Sequence, residues 1–139
     1  MLKVVCLMFL TVGFQISAQA QQKIPATAEA KAQYNRTVPI IKSETNRRFP
    51  GWTFAEDTQN GGISAISPKS DPLYPSLVFR YFAEVDGKIR MASVIMCQNT
   101  TEKCEHLREQ VKIVDRDVQQ KACKVDLSKG ACFSLPDTK

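Results

Sequence analysis

The sequence predicts an α+β domain: an N-terminal helix, kinked or divided at a proline, packed on an antiparallel sheet of hairpins, with a short second helix and two disulfides. Three observations carry that expectation. Between Ala30 and Phe49, Ala30, Tyr34, Val38, Ile41, Thr45 and Phe49 recur at steps of three or four, which sets them on one helical stripe. Leu77 to Cys97 reads LVFRYFAEVDGKIRMASVIMC, two β-branched and aromatic runs joined by Asp86-Gly87. Asp-Gly between such runs suits a type I′ hairpin turn, whose two central residues both need φ > 0. Finally, four cysteines (Cys97, Cys104, Cys123 and Cys132) fall in the last third of the chain.

Residues 1–20 read as a signal peptide rather than as part of the fold. Lys3 supplies a basic start, Val4 to Phe14 an apolar core, and Ala18-Gln19-Ala20 the small residues of a cleavage site. The apolar run is shorter than the roughly 20 residues needed to span a bilayer, so no membrane span is expected after cleavage. Cys6 leaves with this leader. The expected product is a single domain over 21–139 in a periplasmic or secreted location. An even cysteine count behind an export signal reads as disulfides formed in an oxidising compartment. Four cysteines allow three pairings. The two that close short local loops, Cys97–Cys104 and Cys123–Cys132, are favoured.

Along the chain, Thr27 can cap the first helix and Glu29 lies in its first turn, where the helix dipole favours an anion. Lys42, Arg47 and Arg48 load the other end with cations. Pro39 lacks an amide hydrogen and crowds the preceding turn, which predicts a kink or two shorter helices. Pro50-Gly51 ends the element. Trp52 to Ala55 alternates as a strand, Asn60-Gly61-Gly62 signals a turn, and Ile63 to Ile66 is the return strand. Ser67 to Ser76 carries Pro68, Pro72 and Pro75 and is a stiff surface loop.

In the hairpin that follows, the Asp86-Gly87 turn sets Val85 opposite Lys88 and, farther back, Leu77 opposite Met96. One face carries Leu77, Phe79, Tyr81, Ala83 and Val85 with Met96, Val94, Ala92, Arg90 and Lys88; it is expected to meet the N-terminal helix. The other carries Val78, Arg80, Phe82 and Glu84 with Ile95, Ser93, Met91 and Ile89, and is expected to be partly covered or left for a partner. After Cys97, Thr101 is read as the cap of a short helix from Glu102 to about Gln110. Val111 to Val114 reads as a short strand and Asp115 to Gln120 as a polar connection. Cys123 to Leu127 and Ala131 to Leu135, around Ser128-Lys129-Gly130, read as a third hairpin.

Of 19 basic side chains, Lys3 leaves with the leader, so 18 face 14 acidic ones, a net charge of +4. No block of five like charges occurs, which argues against a nucleic-acid arm. His106 is the sole histidine, so serine- or cysteine-based catalysis would have to run through it. Cys104, two residues away on a helix, points elsewhere. One histidine and four disulfide cysteines do not make a zinc site, and Asn60-Gly61-Gly62 lacks the rest of a P-loop. No cofactor is expected. Asn35 and Asn99 fit glycosylation sequons, which matter only in a eukaryotic secretory pathway.

These exclusions point to an exported, non-enzymatic binding protein, such as an inhibitor, an immunity-type protein or an envelope-machine accessory. Its expected partner is another protein or an anionic envelope component. The candidate contacts are Tyr74, set between Pro72 and Pro75, and the basic hairpin tip at Lys88 and Arg90. The alternative is a small secreted hydrolase using carboxylates, Glu56 and Asp57 among them, with His106.

Overall fold

A computed structural model describes residues 26–125 and 132–136. The leader at 1–20 and the predicted Ser128-Lys129-Gly130 turn lie outside the described residues. The order is α1 (Ala28–Arg48), β1 (Thr53–Asp57), β2 (Gly62–Ile66), β3 (Ser76–Val85), β4 (Lys88–Cys97) and α2 (Thr101–Val125). The strands form one antiparallel meander, β1-β2-β3-β4. Both helices lie against one face of it and against each other, the α+β layering expected from the sequence.

Helix α1 begins where its cap predicts: the Thr27 hydroxyl accepts the Ala30 amide hydrogen at 3.2 Å. Ala30, Tyr34, Ile41 and Thr45 are buried along its stripe. It runs through Pro39 as a single helix instead of two shorter ones. Pro39 and Asn35, whose carbonyl loses its partner, are both exposed, so water can take the orphaned acceptor. The helix ends at Phe49, whose amide returns to the Thr45 carbonyl at 2.7 Å. Gly51 at φ +83° then turns the chain into β1. Phe49 packs on Trp52 with ring centroids 4.7 Å apart.

The central hairpin has the predicted register, from Val85 opposite Lys88 to Leu77 opposite Met96. Asp86 and Gly87 have φ of 52° and 71°, both positive as a type I′ turn requires. Which face the helices cover is the reverse of the expectation. Val78, Arg80, Phe82 and Met91 are buried beneath α1 and α2, whereas Leu77, Phe79, Tyr81, Val94 and Met96 stand on the open side. Arg80 made the covered face look wet in sequence. It is 1% exposed, and its Nε donates at 2.7 Å to Asp115 of α2. Ser93, opposite Arg80 on β4, donates to the other carboxylate oxygen at 2.6 Å. Paired in this way, the guanidinium can be buried, and the face is otherwise apolar.

Helix α2 is not the short helix of the sequence reading. It is 25 residues long, absorbs the predicted Val111–Val114 strand and Asp115–Gln120 connection, and has its cap at Thr100, whose hydroxyl accepts the Lys103 amide hydrogen at 3.3 Å. Cys104, Leu107, Val111, Val114, Val118 and Ala122 are buried on one stripe at steps of three and four. The β-branched run suggested a strand, but this longer period continues through it, and packing on α1 and the sheet overrides local preference. Nor does a third hairpin form from Cys123: Cys123–Val125 is the last turn of α2. The segment Cys132–Pro136 instead lies along β4, where Ser134 exchanges backbone hydrogen bonds with Ile89 and Met91. That position drives Phe133 into the core, edge-on to Phe82 at 5.2 Å.

Both short-loop disulfides form. The Cα–Cα distances are 5.8 Å for Cys97–Cys104 and 5.2 Å for Cys123–Cys132. Each lies within the span a disulfide requires. The two helices are further joined by Glu44, 2% exposed, which holds Lys121 and Arg47. The Lys121 hydrogen bond, aided by the Arg47 charge, keeps the Glu44 carboxyl below the usual glutamate range against the opposing effect of burial.

Candidate binding site

The loop between β2 and β3 carries three prolines, which lack amide donors, and the Asp71 and Tyr74 amides donate to the Pro68 and Asp71 carbonyls, both at 3.0 Å. Side chains add to these backbone bonds. Ser67 and Ser76 clamp its two ends: the Ser76 amide donates to the Ser67 hydroxyl at 2.9 Å, and the Ser67 amide donates to the Ser76 carbonyl at 3.0 Å. Asp71 accepts the Leu73 amide hydrogen and the Trp52 indole N–H, both at 2.8 Å. From the far side the Asn99 amide donates to the Tyr74 carbonyl at 3.0 Å, and Lys103 Nζ donates to that of Pro72 at 3.1 Å. The Cys97–Cys104 bridge joins the end of β4 to the first turns of α2 and so fixes where Asn99 and Lys103 stand. The Tyr74–Pro75 peptide is cis.

This loop walls a groove of about 730 Å³ between the C-terminal end of α1 and the first turns of α2. Phe49, Pro50 and Leu73 give it apolar surface; Arg48, Glu102 and His106 give it polar groups of both signs. His106, weighed from sequence as a surface helix residue and as the histidine of a hydrolase, lines this groove, and its side chain has no hydrogen bond or ion pair among the described residues. Tyr74 stands on the loop beside the groove, 41% exposed. Sequence reasoning missed Arg48, Leu73 and Glu102. The signal that pointed there was the proline spacing, which marks a stiff wall but does not say what it faces.

The other predicted contacts are elsewhere. Lys88 and Arg90 lie at the hairpin tip, and Tyr74 just beyond its base. Ten residues of strand at ~3.4 Å each put the two ends about 30 Å apart, so Tyr74, Lys88 and Arg90 do not form one site. Lys88 borders a second hollow of about 450 Å³, where Glu29, Arg36 and Glu84 mix both signs of charge. Arg90 is half-buried and its backbone faces Ser134.

Of the carboxylates named for the hydrolase alternative, Glu56 and Asp57 do not line the groove that holds His106. Glu56 accepts hydrogen bonds from Lys42 and from Tyr34. The Lys42 bond keeps its carboxyl below the ordinary range, while burial and the adjoining Glu56 push the Tyr34 hydroxyl up to about 12. Asp57 binds the Asn60 side chain at 2.9 Å, and the Cys104 sulfur is bridged. Among the described residues no three His, Cys, Asp or Glu side chains are grouped to hold a metal ion, and no helix is long and apolar enough to cross a membrane.

The open sheet face is the other exposed surface of note. Met96, Val94 and Ile66 are 57%, 48% and 37% exposed there, and no described element covers them. The Phe79 ring leans across β2, so that a Cβ added at Gly62 would come within 2.6 Å of it. Tyr81 stacks on Phe79 with centroids 5.7 Å apart. No family model, curated protein or solved structure matches the chain.

Proposed function

We propose that this is an exported, non-enzymatic binding protein whose partner, another protein, docks in the groove beside the proline loop. The observation that carries this reading is the pinned loop. A wall held by Ser67, Asp71, Asn99 and Lys103 loses little conformational entropy when a partner seats against it. An exposed tyrosine on such a wall is a low-entropy anchor. The groove's mixed charge and apolar floor fit a protein segment better than a uniformly anionic polymer. Two disulfides support an oxidising compartment, and with it export.

The test is affinity capture with the disulfide-oxidised protein as bait. A stoichiometric partner recovered by the wild type, and lost at least tenfold with Tyr74→Ala or Leu73→Asp, is expected. Equal recovery by both variants would place the partner elsewhere. The hydrolase reading keeps one point in its favour, the position of His106 in the same groove. A turnover removed by His106→Ala, with partner capture unchanged, would replace the binding reading.

A further inference from the structure

The segment Cys132–Pro136 forms a strap along one edge of the sheet, and little of it is paired. The two-residue turn bonds Lys88 to Val85, so the backbone groups of Ile89, Met91, Ser93 and Ile95 face away from β3. The strap takes two of these groups. The Met91 amide donates to the Ser134 carbonyl at 3.1 Å, and the Ser134 amide donates to the Ile89 carbonyl at 3.0 Å. Pro136 brings no amide hydrogen to the next bonding position, so the pairing stops there. Gln119 Nε2 donates to the Phe133 carbonyl at 2.9 Å. The buried Phe133 ring against Phe82, the half-buried Leu135 and the Cys123–Cys132 bridge complete the hold.

The two bridges differ in access. Cys104 is 8% exposed and Cys97 is half-buried. Cys132 is exposed, Cys123 is half-buried, and Cys132 lines the hollow that Glu29 and Lys88 also border. Exchange with a thiol requires that a thiolate reach one of the sulfurs, and Cys132 offers that approach.

We infer that the Cys123–Cys132 bridge is a thiol-operated latch, whose opening frees the β4 edge for an extended segment of a partner protein carrying an aromatic residue in the place of Phe133. The strap itself shows what the edge accepts: one residue in backbone pairing and, before it, a ring seated on Phe82. The site is separate from the groove beside the proline loop, at the other end of the hairpin. A dithiol supplies the electrons. Its first thiolate attacks the Cys132 sulfur, forms a mixed disulfide and expels the Cys123 thiolate. Its second thiolate then displaces Cys132 and closes the reductant's own disulfide, so that two electrons and two protons pass to the cysteine pair. The bridge spans a sequence separation of 9. Losing a constraint of that length favours strap opening by ~100-fold in the chain-entropy account. An added strand can then make the same bonds to Ile89 and Met91, with an affinity that rises with the fraction of open molecules.

Partial reduction with dithiothreitol, trapped by iodoacetamide and mapped by mass spectrometry, should label Cys123 and Cys132 before Cys97 and Cys104. The reverse order would overturn the proposal. In that partly reduced chain, and in a Cys123→Ser/Cys132→Ser variant, amide exchange at Met91 and Ser134 should be ~100-fold faster than in the oxidised protein, with the β2–β3 amides unchanged. Equal exchange at Met91 would overturn it, because the bridge would then hold nothing. Faster exchange throughout the sheet would overturn it too, because the strap would be inseparable from the fold. A fluorescein-labelled peptide of the strap's sequence, Ser-Phe-Ser-Leu-Pro with serine in place of the cysteine, serves as the partner probe. It should bind the variant roughly tenfold or more tightly than the oxidised protein, and exchanging its phenylalanine for alanine should remove the gain. No gain in peptide binding, or a dimer of the variant that excludes the peptide, would overturn the assignment of the partner.

Discussion

The two faces of the sheet share the same strands and the same register, yet one contains a buried arginine and the other exposes a methionine and a valine. The covered face tolerates Arg80 because Asp115 reaches it from α2, its carboxylate held in turn by the Ser93 hydroxyl of β4. The open face, richer in aromatic and aliphatic residues, has no helix over it among the described residues. Hydrophobic content alone therefore does not decide which side of a sheet is buried; the partners of its polar groups and the docking of the helices do.

The largest effect should come from breaking the arrangement that lets the covered face be buried. Asp115→Ala leaves the Arg80 charge unpaired and is expected to cost ~3–5 kcal/mol in urea unfolding, whereas Arg80→Met combined with Asp115→Leu should recover most of that loss. Equal stability of Asp115→Ala and wild type would mean that Arg80 reaches water. Phe82→Ala, which empties the space between Tyr34 and Phe133, should cost ~3–4 kcal/mol. Replacing Cys97 and Cys104 by serine removes a short-loop constraint of about 2–3 kcal/mol. It should also loosen Asn99 and Lys103 from the proline loop, read as faster amide exchange at Tyr74.

A smaller effect concerns the seam between the helices that cover the sheet. Because the Glu44 carboxyl is held below its ordinary value of 4.5, the unfolded chain binds its proton first as pH falls. The stability Glu44 contributes is complete above that ordinary value and disappears as pH drops through the lowered one. Glu44→Gln should thus cost ~1 kcal/mol at pH 7, where its partners are half exposed or more, and the difference in melting temperature should vanish in acid. The smallest effect belongs to the open face: in dilute solution Val94→Thr should change stability by less than ~0.5 kcal/mol, while the equivalent polar change at Val78 should cost several times as much.

The sequence by itself determined several features set by short-range geometry. Thr27 specified the start of α1, and Asp86-Gly87 specified a turn and thereby ten register pairs. The cysteine spacings favoured two local bridges among three possible pairings, and the prolines marked a stiff loop. These features are legible because each is written within a few neighbouring residues. The helical length of α2 was also present in the sequence, as a stripe from Cys104 to Ala122, but the β-branched run at Val111, Ile113 and Val114 obscured it. Only the tertiary structure decided which face the helices cover, where Cys132–Pro136 docks, and that His106 shares a groove with Phe49 and Leu73. Each of those depends on residues far apart in the chain, such as Arg80 and Asp115, whose pairing no local pattern records. Burial of a charge is affordable only where its partner arrives, and the arrival is a property of the packed fold.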